Sequence, residues 1–143
     1  MIAITILKGF ADMTQNERRS HSRTKINYPI SYVCLGKTGH VIDEKMGVIL
    51  DIGQGGALIE SQHKIVSDYI LLISVDLSCN LIEIRGKVVH CRIGKNGRYR
   101  TGISFQGTDE KNLYFAKRLM MAYYYHEKVY EDDGPSRTLQ SVI

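Results

Sequence analysis

Three arginines are concentrated in the segment ERRSHSR, at residues 17–23. A guanidinium group pairs with phosphate oxygens through a planar fork and stacks on purine rings. The same fork matches the adjacent O6 and N7 acceptors of guanine. In an extended segment, Arg19 and Arg23 would lie up to ~13–14 Å apart, which is the scale of a dinucleotide. The residues alone leave two interpretations open, a solvated basic tail and a binding site for an anion.

The segment LDIGQGGALIES, at residues 50–61, places an aspartate ahead of three glycines. One interpretation is a β-turn in which Asp51 caps its own backbone. The other is a loop whose glycines, Gly53, Gly55 and Gly56, let a flat ligand approach the backbone and leave amide groups available to bind it. Asp51 would then accept hydrogen bonds from the N1–H and N2–H₂ donors of guanine.

Signatures of catalysis and of metal binding are missing from the sequence. The five histidines form no HxxxH or HExxH pair, and the three cysteines form no CxxC pair. The GKT at residues 36–38 is not a phosphate-binding loop, because Ser31 stands where a Walker A sequence needs glycine. We therefore expect no metal site, no enzymatic activity and reduced thiols, as in a cytoplasmic protein.

Length and charge set the class of molecule. The chain has 143 residues, a net charge of +4 and a pI near 9.0, which is typical of one globular domain with a mild preference for anionic partners. Basic residues gather at 18–25 and 85–100. No apolar run reaches 18 residues, so no membrane insertion is expected. MIAITIL is too short for a signal peptide, and either Met1 or Met13 could start translation.

Six short apolar runs separated by turn residues predict an antiparallel sheet. In the first run, Tyr28, Ile30, Tyr32 and Cys34 alternate with polar residues, and Pro29 indicates a strand edge or a strand start. Asn96-Gly97 predicts a tight hairpin between the last two runs. Six strands at this spacing favour a closed or nearly closed barrel. The runs are INYPISYVCL, MGVILDI, GALIES, DYILLISVDL, LIEIRGKVVHCR and RYRTGISF.

The last element is a predicted helix, with Leu113, Ala116, Met120 and Tyr123 at helical spacing. Thr108 or Asp109 can cap its start, and Gly134-Pro135 is expected to end it. The tyrosine run at residues 123–125 is interpreted as a packing or partner face.

Taken in order, these motifs resemble the PilZ domain family of bacterial cyclic di-GMP receptors. The family's RxxxR motif is matched by Arg19 and Arg23, and its [D/N]xSxxG motif is matched at Asp51 and Gly56. VVHCR and the later GISF resemble the family's last barrel strands. The resemblance covers residues 17 to about 126.

The resemblance implies a mainly β fold, a six-stranded antiparallel barrel with a C-terminal α-helix, and no catalysis. It implies cyclic di-GMP as ligand rather than a cofactor, with two stacked molecules when arginine precedes RxxxR, as Arg18 does. His90 and Arg92 are placed at the border of the site, although a packed or solvated histidine competes for His90. The implied ligand-binding residues are Arg18, Arg19, Arg23, Asp51, Gly53 and Gly56, bordered by Gly55, His90 and Arg92.

Gly53 departs from the family pattern, which has serine at this position. The missing hydroxyl removes one hydrogen bond, a net ~0.5–1.5 kcal/mol, so weaker rather than abolished binding is expected. Gly53→Ser is accordingly expected to tighten binding.

The expected organisation is an N-terminal extension at 1–16, a PilZ domain at 17–130 and a flexible tail at 131–143. The arginine arm is expected to order on ligand binding and to signal to an unidentified protein partner. Two alternatives stay open. One is a PilZ adaptor that binds a protein without nucleotide. The other is a β-barrel that binds nucleic acid, which is disfavoured because the aromatics cluster largely in the helix and the chain has no tryptophan.

Overall fold

The computed structural model describes residues 22–133 of the chain, with side chains as far as residue 127. Six antiparallel strands close into a barrel in the order β1-β2-β3-β6-β5-β4, and one helix follows. The predicted six-stranded barrel with a C-terminal helix is confirmed. The elements are β1 Arg23–Leu35, β2 Val41–Gly53, β3 Gly56–Ser61, β4 Tyr69–Val75, β5 Leu81–Ile93, β6 Tyr99–Phe105 and α1 Asp109–Asp133.

The barrel interior is filled by branched aliphatic side chains. On β1, Ile30, Tyr32 and Cys34 are buried, as their alternation predicts. Ile49 of β2, Ile70 of β4 and equivalent residues on the other strands complete the core. Burying one such side chain contributes about 1.5–3 kcal/mol, so the core supplies the main driving force for closing the barrel.

Helix α1 packs against the barrel through an apolar face. Its start is capped by Thr108, whose Oγ1 accepts a hydrogen bond from the Lys111 amide at 3.1 Å. Phe115 meets Phe105 of β6 edge to face, with ring centroids 5.7 Å apart. Of the predicted face, Ala116 and Met120 are fully buried, while Leu113 and Tyr123 are partly buried.

Three local predictions can be compared with the structure. Pro29 lies inside β1 opposite Val48 of β2, but β4 pairs with β1 only over Ser31–Leu35, so the missing amide hydrogen of Pro29 disturbs no β1–β4 bond. The Asn96-Gly97 hairpin is present between β5 and β6, with Gly97 at φ +80°. Helix α1 ends at Asp133, so residues 131–133 of the predicted tail are helical.

Candidate ligand-binding groove

A bulge in β2 turns Asp51 to the outside of the barrel. The β2–β3 ladder passes from the pair Ile49–Ile59 to the pair Asp51–Leu58, which leaves Leu50 as an extra residue in β2. Ile49 and Ile52 are consequently both buried although they are three residues apart. Asp51, which stands between them in the sequence, therefore lies on the outer face of the sheet.

A second bulge, in β5, does the same for His90. The ladder passes from Val88 opposite Ile103 to His90 opposite Gly102, with Val89 as the extra residue. In a regular strand His90, two residues after Val88, would share the inward face of Val88. The imidazole instead lies directly over Gly102. It lies so close that a Cβ added to Gly102 would overlap the ring.

The two bulges place the side chains of Asp51 and His90 in the same outer row of the sheet. Asp51 pairs with Leu58, Leu58 pairs with Gly102, and Gly102 pairs with His90, across β2, β3, β6 and β5. Neighbouring strands are spaced about 4.8 Å apart, so the row from Asp51 to His90 measures about 14 Å along the sheet.

A groove of about 720 Å³ lies over this row. Four of its lining side chains are lysine or arginine and one is a carboxylate, so its field attracts anions. The lining residues are Arg23, Asp51, Leu58, His90, Arg92, Ile93, Gly94, Lys95, Asn96, Arg100 and Gly102.

Arg23 and Asp51 form an ion pair at the edge of the groove, with Nη1 donating to Oδ1 at 2.9 Å. The Arg23 side chain is 44% exposed and the Asp51 side chain 24% exposed. A pair this accessible contributes at most about 1 kcal/mol to stability. Its main consequence is therefore positional: it holds the guanidinium beside the groove, where the Arg23 side chain stays partly exposed.

Gly56 makes room for Arg23. A Cβ at Gly56 would overlap the carbonyl oxygen of Ile103 and lie 3.2 Å from Nη2 of Arg23. The glycine does not have a positive φ. Close contact, rather than an unusual backbone angle, is what requires glycine at this position.

Gly53 is opposite Arg23 at the end of the β1–β2 ladder. A Cβ at this position would overlap the carbonyl oxygen of Ser22, which belongs to the backbone and cannot rotate away. The expectation that serine at 53 tightens binding therefore conflicts with the structure, because serine would displace the start of β1 where Arg23 is anchored.

Gly55 lies beside the groove rather than in it. It lines a neighbouring pocket of about 460 Å³ that Arg23 also lines, and its carbonyl accepts a hydrogen bond from the Phe105 amide at 2.9 Å. Arg23 thus stands between the two cavities.

One wall of the groove was missed by the sequence analysis. Lys95, Asn96 and Arg100 belong to the β5–β6 hairpin. Glu60 of β3 accepts a hydrogen bond from Arg100 Nε at 3.3 Å and one from Asn96 Nδ2 at 3.4 Å. The available signal was the basic run at 85–100 together with the Asn-Gly hairpin, which folds that run back on itself.

The structure brings four of the predicted site residues together around the groove, namely Arg23, Asp51, His90 and Arg92. Arg18 and Arg19 lie outside the described residues. A role of any of these residues in ligand binding stays a prediction. Among the side chains of residues 22–127, no cluster of three or more histidines, cysteines, aspartates or glutamates could hold a metal ion. The same part of the chain contains no helix with the length and apolarity needed to span a membrane.

Comparison with known proteins identifies the fold and the family. A sequence model of the PilZ domain matches residues 17–125, which is most of the chain. The chain belongs to the PilZ domain family. A search of curated protein sequences found no match.

Solved structures with the same fold include other PilZ proteins at low identity. The PilZ domain of YcgR from Escherichia coli, solved with c-di-GMP, has a TM-score of 0.52 and 10% identity, covering 82% of this chain and 100% of that domain. MrkH of K. pneumonia in its apo state has a TM-score of 0.53 and 14% identity, covering 81% and 53% of the two chains.

A third structure is the Bacillus subtilis inhibitor of motility, MotI/DgrA. It has a TM-score of 0.53 and 12% identity, covering 79% of this chain and 52% of that one. The chain therefore spans about half the length of MrkH and of MotI/DgrA. At these identities the likeness shows the fold.

PilZ domains form a family of non-catalytic c-di-GMP receptors. The chain is accordingly not an enzyme, and that prediction is confirmed by its family.

Proposed function

We propose that this PilZ domain is a receptor that binds cyclic di-GMP in the groove beside Arg23 and Asp51. The observation that carries the proposal is their 2.9 Å ion pair at the edge of a basic groove. One guanidinium and one carboxylate, held side by side, offer complementary partners to a guanine and to a phosphate.

Each outward-facing group has a role in this proposal. Arg92 and Arg100, paired across β5 and β6, contact the phosphates, as does Arg23. Asp51 uses one oxygen for Arg23 and keeps acceptor capacity for the N1–H and N2–H₂ of guanine. The ring of His90 offers a flat surface on which a base can stack.

The arm before β1 completes the proposed site. Arg18 and Arg19 lie three to four residues before Ser22, where the described chain begins, so at most ~14 Å of extended chain separates them from it. We propose that the arm orders over the ligand, that Arg18 holds a second stacked molecule, and that the ordered arm signals to a protein partner in a bacterial cytoplasm. The functional unit in this proposal is residues 17–130.

Titration calorimetry tests the proposal with three ligands: cyclic di-GMP, GMP and a short single-stranded oligonucleotide. We expect the cyclic dinucleotide to bind and the other two to bind much more weakly. Arg23→Ala should weaken binding at least about tenfold, as expected for loss of a charge-assisted hydrogen bond of ~1.5–3 kcal/mol. Arg98→Ala is the matched control, because it removes the same charge at an exposed position of the β5–β6 hairpin that does not line the groove.

Three outcomes would contradict the proposal. Equal loss of affinity in both variants would mean that only net charge matters. Preferential binding of the oligonucleotide would favour a nucleic-acid-binding barrel. A folded chain that binds none of the three ligands would favour the adaptor, with the tyrosine-rich helix as its working surface.

A further inference from the structure

Glu60 links strand β3 to one wall of the groove. Its Oε2 accepts a hydrogen bond from Arg100 Nε at 3.3 Å and another from Asn96 Nδ2 at 3.4 Å. Arg100 and Asn96 are among the described residues that line the groove, and Glu60 is not. One carboxylate outside the groove therefore holds two side chains that form its wall.

The register of the strands explains why a carboxylate is useful at this position. Glu60 pairs with Arg100 across β3 and β6, and Arg100 pairs with Arg92 across β6 and β5. Like charges directly opposite each other destabilise a sheet, and Glu60 supplies the compensating charge from the other neighbour of β6. The Glu60 side chain is 15% exposed and that of Arg100 is 49% exposed, so the arginine stays accessible to a ligand while its partner is largely covered.

The second hydrogen bond extends the effect of Glu60 to the turn between β5 and β6. Asn96 donates to Glu60 through Nδ2, and its Oδ1 accepts a hydrogen bond from the Arg98 amide at 3.0 Å. The turn is closed by the Gly94 amide, which donates to the Arg98 carbonyl at 2.7 Å. The Asn96 side chain therefore ties the turn, which includes Lys95, back to β3.

We infer that Glu60 is a positioning residue, which holds Arg100 and the β5–β6 turn in place to meet the phosphates of the ligand. This inference rests on the proposed binding of cyclic di-GMP in the groove. The bond to Glu60 involves Nε of Arg100, which leaves the terminal Nη1 and Nη2 groups as donors for a phosphate. A guanidinium that is already held loses less conformational freedom when the ligand binds.

The charge of Glu60 and its positioning role have opposite effects on affinity. A carboxylate beside the groove lowers the positive potential that attracts an anionic ligand, whereas its hold on Arg100 favours binding. Two substitutions separate these effects. Glu60→Gln removes the charge and keeps an oxygen that can accept from Arg100 Nε, while Glu60→Ala removes both.

Titration calorimetry of the full chain with cyclic di-GMP measures both effects. We expect Glu60→Gln to bind at least as tightly as the parent, and Glu60→Ala to bind about two- to tenfold more weakly, the cost of ordering a long side chain on binding. Asp43→Ala is the matched control, because Asp43 also pairs with a cation, Lys45, at 3.3 Å, but outside the groove. It should not weaken binding. Tighter binding in both Glu60 variants would show that Glu60 acts only through its charge and would overturn the inference.

A measurement without ligand separates this inference from the proposed function. By NMR, the Nε–H proton of Arg100 should exchange with water more slowly in the parent and in Glu60→Gln than in Glu60→Ala, because an accepted hydrogen bond protects it. Equal exchange in the three proteins would show that Glu60 does not hold the guanidinium and would also overturn the inference. If the exchange rates differ as expected but the parent does not bind cyclic di-GMP, the proposed function is wrong and the role of Glu60 in binding that ligand falls with it, while its hold on Arg100 stands.

Discussion

The guanidinium of Arg23 connects the strand ladder to the groove. Its backbone makes the first β1–β2 pair with Gly53, and its side chain reaches Asp51 and passes over Gly56. Two residues of the glycine-rich segment therefore serve the same arginine. The missing side chain of Gly53 leaves room for the backbone at Ser22 and Arg23, and the missing side chain of Gly56 leaves room for the Arg23 guanidinium.

At this residue scale, Gly53→Ser tests whether the close contact between Gly53 and the Ser22 carbonyl is needed for ligand binding. We expect binding of cyclic di-GMP to weaken and the melting temperature to fall, because the added Cβ must displace the Ser22 carbonyl and Arg23 with it. Overpacking of this kind costs about 1–3 kcal/mol. Gln54→Ser, one residue along, is the control, since that position already carries a Cβ. Calorimetry and thermal melts measure both effects, and tighter binding by Gly53→Ser would refute the steric argument.

At the scale of elements, the bulges in β2 and β5 determine what the groove contains. Each inserts one residue, Leu50 or Val89, and each reverses the facing of the residues that follow. Asp51 and His90 reach the outer face for this reason, although they come from strands that are not neighbours.

Gly102→Ala tests whether the position of the His90 ring over β6 matters for ligand binding. The new Cβ would contact the imidazole, which can swing away, so the barrel should stay stable while ligand affinity falls severalfold. Gly36→Ala is a matched control, because a Cβ at Gly36 would meet the ring of His40 in the same way, in the β1–β2 turn. Calorimetry and histidine proton NMR report the two effects. An equal change of affinity in both variants would argue against a role for the His90 ring.

The buried ring of Tyr32 predicts how stability depends on alkaline pH. Burial raises the pKa of Tyr32 above its ordinary value of 10.0, against a smaller opposing effect of its hydrogen bond with Ser61. The unfolded chain therefore loses this proton first, so the contribution of Tyr32 to the free energy of unfolding is constant below pH 10 and falls as pH rises from 10 towards the folded-state pKa. Burial also raises the pKa of Tyr123, which adds a fall in the same direction.

Urea unfolding in buffers below and above pH 10 measures this dependence. Tyr32→Phe should reduce the alkaline fall in the free energy of unfolding without abolishing it, because the contribution of Tyr123 persists. Tyr125→Phe is the control, since the Tyr125 ring is about half exposed. An identical pH dependence in the parent and in Tyr32→Phe would show that burial of Tyr32 does not set it.

At the scale of the whole molecule, the net charge is +4, and four basic side chains lie around one groove. Arg23, Arg92, Lys95 and Arg100 line one groove, and they come from three different strands and a turn. Their combined field should raise the rate at which an anionic ligand associates.

Lys95→Gln tests this long-range contribution. Lys95 sits in the β5–β6 turn and forms no ion pair among those found in residues 22–127. We expect Lys95→Gln to weaken binding at low salt and to make affinity less dependent on salt, because screening acts beyond about 10 Å at 0.1 M ionic strength. Lys87→Gln, on β5 but outside the groove, should leave the salt dependence unchanged. Titrations at two ionic strengths measure the salt dependence of the affinity. An equal salt dependence in Lys95→Gln and in the parent would show that Lys95 does not attract the ligand at long range.

The sequence by itself determined the elements and the family. Alternating apolar residues, the Asn96-Gly97 turn and the helical spacing around Ala116 are local patterns, so strand number, hairpin and helix followed from them. The order of RxxxR and DxGxxG also indicated the ligand class, because these residue types suit guanine and phosphate wherever they lie in the fold.

Only the tertiary structure decided which side chains share the groove. A bulge is a property of two paired strands, so the run VILDI cannot reveal whether Asp51 faces the core or solvent. The wall formed by Lys95 and Arg100 depends on how β6 lies between β3 and β5 in the closed barrel. The carbonyl of Ser22 beside Gly53 likewise comes from the residue just before β1, thirty-one positions earlier in the sequence. Contacts between distant segments arise only when the barrel closes, and they turned the expected benefit of serine at position 53 into an expected cost.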